Sequence, residues 1–314
     1  MDRRTFLSSS ALLAASPAWA AGPAARGTPN YKVWLHYTQQ ELDDAYSDAK
    51  WVPDMRELLA RQAQAGEKIR SRFPPRTASY GPAASEALDI FSPREPGAGR
   101  AAMIFIHGGN WRFGSKESVS FLAPAFTQHG AHFLAPEFAS ILHNTLPGMV
   151  DQCRRAIAWA GRHAAQFGVD PARLYVGGHS AGGHLAAMML TTDWTRFGMP
   201  ADLLKGGLVL SGLCDLEPVV LAAGNSHLKL TPRERTELSP VHKLRDVTCP
   251  VIVAWGSGDS PEFRRQGSQL AGALRAAGRL AGTFVLPGVN HFEILDVLGS
   301  GDSHLGAATL ALMR

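Results

Sequence analysis

Three residues far apart in the chain have the types and the order that nucleophilic acyl transfer needs. Ser180 lies in Gly178-His179-Ser180-Ala181-Gly182, a G-x-S-x-G pattern between the apolar "RLYV" and the helical "GGHLAAMMLTTDW". In such an elbow the serine occupies a sharp, strained strand-to-helix turn. Glycines on either side remove side chains that would clash there. The helix start directs backbone N–H groups and a positive dipole toward developing negative charge. The alternative is a glycine-rich turn with Ser180 as a helix cap. That alternative leaves the other residues below unexplained.

A serine hydroxyl needs a neighbouring base, and the base needs an acid to fix its tautomer. His291, in "LPGVNHFEILD", follows the last good strand at a loop–helix boundary, and Asp259, in "VIVAWGSGDSPEF", follows the preceding strand. The order Ser180, Asp259, His291 fits a nucleophile elbow on alternating strands and helices. Competitors exist. His179 is inside the turn and is expected to point elsewhere. His184 is expected to be packed or hydrogen-bonded. Asp215, in "SGLCDLEP", is the rival acid.

An oxyanion hole is expected from "FIHGGNW", at the end of an earlier strand. Gly108 and Gly109 are the preferred N–H donors, with Ala181 adding another and Asn110 able to offer its own. Each donor is worth roughly 3 kcal/mol in the transition state. His107 is expected to stabilise the loop. Twelve histidines invite a metal, but there is no H-E-x-x-H and no compact His/Asp cluster. "HGGNWRFGSK" has neither dinucleotide-binding spacing nor a P-loop ending. No metal and no cofactor are expected.

The elements that must position these residues follow from periodicity. "ALDIF", "AAMIFIHGG", "AHFLAPEF", "RLYVGG", "GGLVLSG", "PVIVAWGS" and "AGTFVLPG" read as strands. "LPGMVDQCRRAIAWAGRHAAQF", "GGHLAAMMLTTDW" and "PEFRRQGSQLAGALRAAG" read as helices between them, and "HFEILDVL" and "HLGAATLALM" as closing helices. Strands separated by helices imply an α/β fold: a mostly parallel central sheet covered by helices on both faces. Residues from about 41 to 72 read helical until "RFPPR" stops them, giving a small helical N-terminal cap.

The chain has 314 residues, 45% hydrophobic and 18% charged, which excludes a disordered, collagen-like or disulfide-scaffold protein. Its net charge of +4 comes without a basic block, so no nucleic-acid surface is expected. Cys153, Cys214 and Cys249 lack metal-like spacing. An exported protein could pair two of them, but the spacing selects no pair, and buried thiols are the simpler reading. "MDRRTFLSSSALLAASPAWA" reads as a secretory signal over 1–20, with Arg3-Arg4 resembling a twin-arginine export signal. A flexible leader over 21–36 and a single domain over 37–314 follow. Export to the periplasm is the expectation, with the cytoplasm if the signal does not function, and no membrane association after cleavage.

These blocks together resemble the kynurenine formamidase (arylformamidase) family of α/β-hydrolases. "ELDDAYSDAKWV" is similar to the family's N-terminal signature, "FIHGGNWRFGSKE" to its oxyanion loop, and "GHSAGGHLAAMMLTTDW" to its nucleophile segment. "SGLCDLEPVV", "GSGDSPEFRRQ" and "VNHFEILD" resemble later blocks, so the resemblance covers the chain from about Tyr37 onward. Asn110 stands where the family commonly has tyrosine. The resemblance puts the family triad on Ser180, Asp259 and His291. It implies hydrolysis of N-formyl-L-kynurenine to L-kynurenine and formate, with a short-chain or aryl carboxylesterase as the alternative. An aromatic leaving group would want a flat apolar wall, to which Trp111 and Phe113 beside Asn110 could contribute. Lys116 or Arg112 could meet a carboxylate. A small-molecule substrate is the expected partner, with a homodimer as an open option.

Overall fold

The apolar runs assemble into one eight-stranded sheet. The computed structural model describes residues 31–95 and 97–314, and its folded body runs from Lys32 to Arg314. The expected signal over 1–20 and the leader up to residue 30 lie outside the described residues. The strands are β1 (Arg76–Ser79), β2 (Ala87–Phe91), β3 (Arg100–Ile106), β4 (His132–Pro136), β5 (Val169–His179), β6 (Leu204–Leu210), β7 (Val251–Gly256) and β8 (Leu280–Leu286). Their spatial order is β1-β2-β4-β3-β5-β6-β7-β8. The two pairings of β2 are antiparallel and the pairings from β4 through β8 are parallel. This is an α/β-hydrolase fold, as the alternation of strands and helices implied.

Strand β1 was not foreseen. It is an edge strand whose residues are mostly exposed. An edge with water on both sides imposes no apolar pattern, so nothing in "RTAS" announces it. The central strands show the opposite. On β3, Ala102, Ile104 and Ile106 pack on one side of the sheet, while Met103 and Phe105 pack on the other. Side chains alternate across a pleated strand, so a strand buried on both faces must be apolar at every position.

Helices Leu146–His163, Ala181–Leu190 and Pro261–Ala276 cover one face, and Ala123–Thr127, Glu293–Gly299 and His304–Leu312 the other. Thr145 caps the first through Gly148 N–H, and Gly168 ends the short turn after it in a left-handed conformation, φ 81°. The three cysteines are buried free thiols.

The front segment is three helices, Gln39–Ala45, Asp48–Trp51 and Met55–Arg72, rather than one continuous piece. The first docks where Gln39 Nε2 donates to Leu221 O at 2.8 Å and Asp43 accepts from Ala223 N at 2.7 Å. The third reaches the opposite layer, where Gln62 Nε2 donates to Phe292 O at 3.1 Å and Arg61 pairs with Asp296 at 2.7 Å. None of the helices among the described residues is long and apolar enough to cross a membrane.

Candidate active site

Strand β5 delivers Ser180, and the turn that follows is strained. Ser180 has φ 57° and ψ −123°, a conformation that disfavours any residue with a Cβ. Its amide is fixed by Leu210 O at 2.9 Å, and its own carbonyl starts the next helix through His184 N–H at 3.0 Å. The flanking glycines are sterically required. A Cβ on Gly178 would fall on the carbonyl of Gly182, and one on Gly182 on the carbonyls of Ile106 and His107. Gly182→Ala should therefore force β3 away from the elbow. We expect a loss of about 3 kcal/mol in a denaturant titration, together with most of the activity; a Gly182→Ala protein as stable and active as the parent would contradict this packing.

Asp259 and His291 reach each other from the ends of β7 and β8. A Cβ on Gly256 would fall on Val289 O, so the bare backbone lets the two loops close together. Asn290 Oδ1 accepts from Phe292 and Glu293 N–H at 3.0 Å each, which fixes the loop carrying His291. His291 Nδ1 donates to Asp259 Oδ1 at 2.6 Å. The other carboxylate oxygen accepts from Ser211 Oγ at 2.6 Å and Gly256 N–H at 3.1 Å. Burial alone would raise the Asp259 carboxyl, but His291 and these donors hold it below its usual value. Burial likewise disfavours charge on His291, and the Asp259 carboxylate overcomes it, so the imidazole sits above the ordinary histidine value. The imidazole is held among the rings of Phe263, His179 and Phe292, at centroid distances of 4.3, 4.6 and 5.0 Å. Its Nε2 is buried and has no partner among the described residues. Ser180, 7% exposed, makes no side-chain hydrogen bond there. Hydrogen bonds of this kind are often long in unliganded sites and tighten around substrate.

The competing residues have structural work. His179 Nε2 donates to the backbone carbonyl of His291 at 2.7 Å, and burial pushes its pKa down to about 3. It is a neutral strut for the His291 loop. His184 Nε2 donates to Leu238 O at 2.7 Å while its Nδ1 accepts from Trp111 Nε1 at 3.3 Å. Asp215 caps helix Leu216–Leu221 through Glu217 N–H at 3.3 Å, and its own N–H goes to Gln266.

The loop after β3 closes the site from the other side. Gly109, Asn110 and Trp111 are consecutive residues with positive φ, at 113°, 52° and 57°. A Cβ on Gly108 would lie 2.8 Å from His179 O and 3.3 Å from Ser180 Cβ, so the loop presses on the elbow. The N–H groups of Gly108, Gly109 and Ala181 donate to no acceptor among the described residues. Unpaired amides beside a serine are what a developing oxyanion requires. His107 holds this loop: Nδ1 contacts Gly108 O at 2.9 Å, Nε2 contacts Glu137 Oε1 at 3.1 Å, and the ring stacks on Phe138 at 4.3 Å.

The residues expected to line an aromatic wall are placed differently. Trp111 is 2% exposed and bonded to His184 beneath the loop, so it offers no open ring face. Phe113 is 64% exposed with Arg112 over its ring. Asn110 turns its amide to Asn225 Oδ1 at 3.2 Å, itself anchored to Val219 O. Lys116 is engaged with Asp89 and Glu117. Ser211 and Glu137 escaped the sequence reading. A lone serine after "GGLVL" and a glutamate in "APEF" carry no motif, and only strand adjacency brings them to Asp259 and His107.

Comparison with known proteins extends this geometry. The BD-FAE family model matches residues 88–203, and the prolyl oligopeptidase family model matches residues 149–305. The chain is 32% identical to a kynurenine formamidase of Danio rerio over 277 residues, covering 84% of this chain and 93% of that one. It is 31% identical to a kynurenine formamidase of Salmo salar over 294 residues, covering 89% and 98%. A hyperthermophilic esterase from Pyrobaculum calidifontis superposes with a TM-score of 0.66 at 20% identity, covering 88% of this chain and 96% of that one, which is a likeness of fold.

Proposed function

The chain belongs to the kynurenine formamidase family of α/β-hydrolases and is an enzyme of the serine-hydrolase kind; on that premise we propose that it hydrolyses aryl formamides, with N-formyl-L-kynurenine as substrate and L-kynurenine and formate as products. The observation that carries the catalytic reading is the buried Asp259–His291 pair, its Nε2 unpartnered, in a site with a strained serine and three unpaired amides.

Each atom has a role in this scheme. Ser180 Oγ attacks the formyl carbon as His291 Nε2 takes its proton. The carbonyl oxygen becomes an anion facing the N–H groups of Gly108, Gly109 and Ala181. Collapse breaks the C–N bond while Nε2–H protonates the departing aryl amine. L-Kynurenine leaves a formyl ester on Ser180. Water, deprotonated by His291, attacks that ester; formate leaves and the proton returns to Ser180. Asp259 holds the tautomer throughout and stabilises the imidazolium.

The formamide reading is separated from a general carboxylesterase by a substrate panel on purified protein: N-formylkynurenine, a plain formanilide, and acetyl and butyryl aryl esters. We expect kcat/KM for N-formylkynurenine to exceed that for the butyryl ester by at least about tenfold, a difference of roughly 1.4 kcal/mol in transition-state binding. Brisk ester cleavage with N-formylkynurenine left intact would reject the formamide assignment and leave the esterase.

A further inference from the structure

Three consecutive residues with positive φ build the oxyanion loop, and Asn110 is the middle one. Backbone of this kind persists only where its surroundings over-determine it. The two ends of the loop are anchored. His107 holds the start through Glu137. Trp111 holds the end: its Nε1 donates to His184 Nδ1 at 3.3 Å, and its carbonyl accepts from Ile141 N–H at 2.8 Å. The middle is held by a side-chain bond, from Asn110 Nδ2 to Asn225 Oδ1 at 3.2 Å.

Asn225 is suited to that bond. It is 4% exposed, and its Nδ2 donates to Val219 O at 3.0 Å. A carbonyl can only accept, so Val219 selects the amide end that faces it and leaves Asn225 Oδ1 for Asn110. The backbone beneath is fixed as well. Asn225 N–H donates to Ala222 O at 3.0 Å. The helix Gln39–Ala45 is attached on either side of Ala222, through Gln39 Nε2 to Leu221 O and Ala223 N–H to Asp43 Oδ1. Ala222 itself is 1% exposed and packs with Tyr37, Leu42 and Ala45. The N-terminal segment is thereby connected to the oxyanion loop through one short turn, Ala223–Leu228.

We propose that Asn225 is a positioning residue for the oxyanion hole: through Asn110 it sets where the amides of Gly108 and Gly109 point. It acts on the loop and not on substrate. The proposal rests on the acyl-transfer reading above and extends it, because stabilisation of the developing anion comes to depend on a residue 115 positions from its partner in the loop. A misplacement of about 1 Å in a catalytic group can cost on the order of 10²-fold in rate. Donors aimed at the anion of the transition state matter less to the bound ground state, so the loss falls on kcat and spares KM.

The test compares wild type, Asn225→Ala, Asn110→Gly and the double variant, each assayed where circular dichroism shows it folded. Glycine at 110 accepts φ 52° without strain, so that variant removes the bond and keeps the turn. Each single variant should lose about 10- to 100-fold in kcat, with KM within about threefold. Affinity for an aryl trifluoromethyl ketone, whose adduct on Ser180 sets an oxyanion at the same amides, should weaken by a similar factor. The double variant should fall no more than about twofold below the weaker single one, because both delete one bond. The acid limb of the pH profile, set by His291, should not move. Retention of kcat within about twofold by a folded single variant, a loss carried by KM, or single losses that multiply in the double variant would overturn the proposal. If Asn225→Ala does not fold, Asn110→Gly decides by the same kcat and ketone criteria. All proteins are assayed on whichever of the formamide and the aryl acetate wild type cleaves, so failure of the formamide assignment leaves this result readable. Ser180→Ala run alongside reports separately on the serine mechanism.

Discussion

Ser180→Ala is expected to lower turnover of every accepted substrate by about 10⁴- to 10⁶-fold while leaving the fold intact. The separation of the two effects follows from the local structure. Ser180 Oγ makes no capping bond to the helix it precedes, and the turn is held by backbone bonds to Leu210 and His184 that alanine retains. Removing the oxygen thus leaves the amides of Gly108, Gly109 and Ala181 in place and deletes only the acyl carrier. Residual rate above water should come from those donors and from substrate binding. Steady-state assays with a coincident thermal unfolding curve measure both halves. Intact-mass analysis after treatment with an organophosphonate adds a direct readout: one adduct on the parent protein and none on the variant. Turnover within tenfold of wild type would end the serine mechanism for this chain.

Asp259→Asn should cost about 10⁴-fold in kcat, although it changes one atom at a residue that never touches substrate. Oδ1 of Asp259 accepts the Nδ1 proton of His291, while Oδ2 is occupied by Ser211 and Gly256. An amide nitrogen presented to Nδ1 favours the opposite tautomer, with the proton on Nε2. A protonated Nε2 has no lone pair for the serine hydroxyl. The pH profile gives a second signature. In wild type the Asp259 carboxylate holds His291 above the ordinary histidine value. The base is active when neutral, so kcat/KM should fall as pH drops through a pKa above about 6.5. In the variant that attraction is gone and burial prevails, so the acid limb should move to lower pH on the residual activity. Asp215→Asn is the contrasting case. Its carboxylate caps a helix, and asparagine caps nearly as well, so activity should stay within about threefold. A large loss at Asp215 with little at Asp259 would exchange their roles.

The His291–Asp259 pair would work on any acyl carbon brought to Ser180. Discrimination must come from the walls, and the aromatic residues of the oxyanion loop are unsuited to that task because Trp111 is buried beneath it. The N-terminal segment is pinned by Tyr46 to the helix whose Phe263 packs on His291.

The amino-acid sequence by itself determined the architecture and the elbow, and set a serine, a following acid and a late histidine in chain order. Doubly buried strands must be apolar throughout, a strained serine must be flanked by residues without Cβ, and both constraints are local enough to be written in consecutive letters. The same locality explains what escaped. β1 is an exposed edge with no pattern to display. Ser211 and Glu137 acquire meaning only through neighbours 48 and 30 positions away. The choice of Asp259 over Asp215, and the assignment of His179 as a strut, were likewise decided in three dimensions. Hydrogen bonding and desolvation act over a few ångströms of space whatever the separation along the chain, so a side chain's partner is fixed only once the sheet has brought its strand ends together.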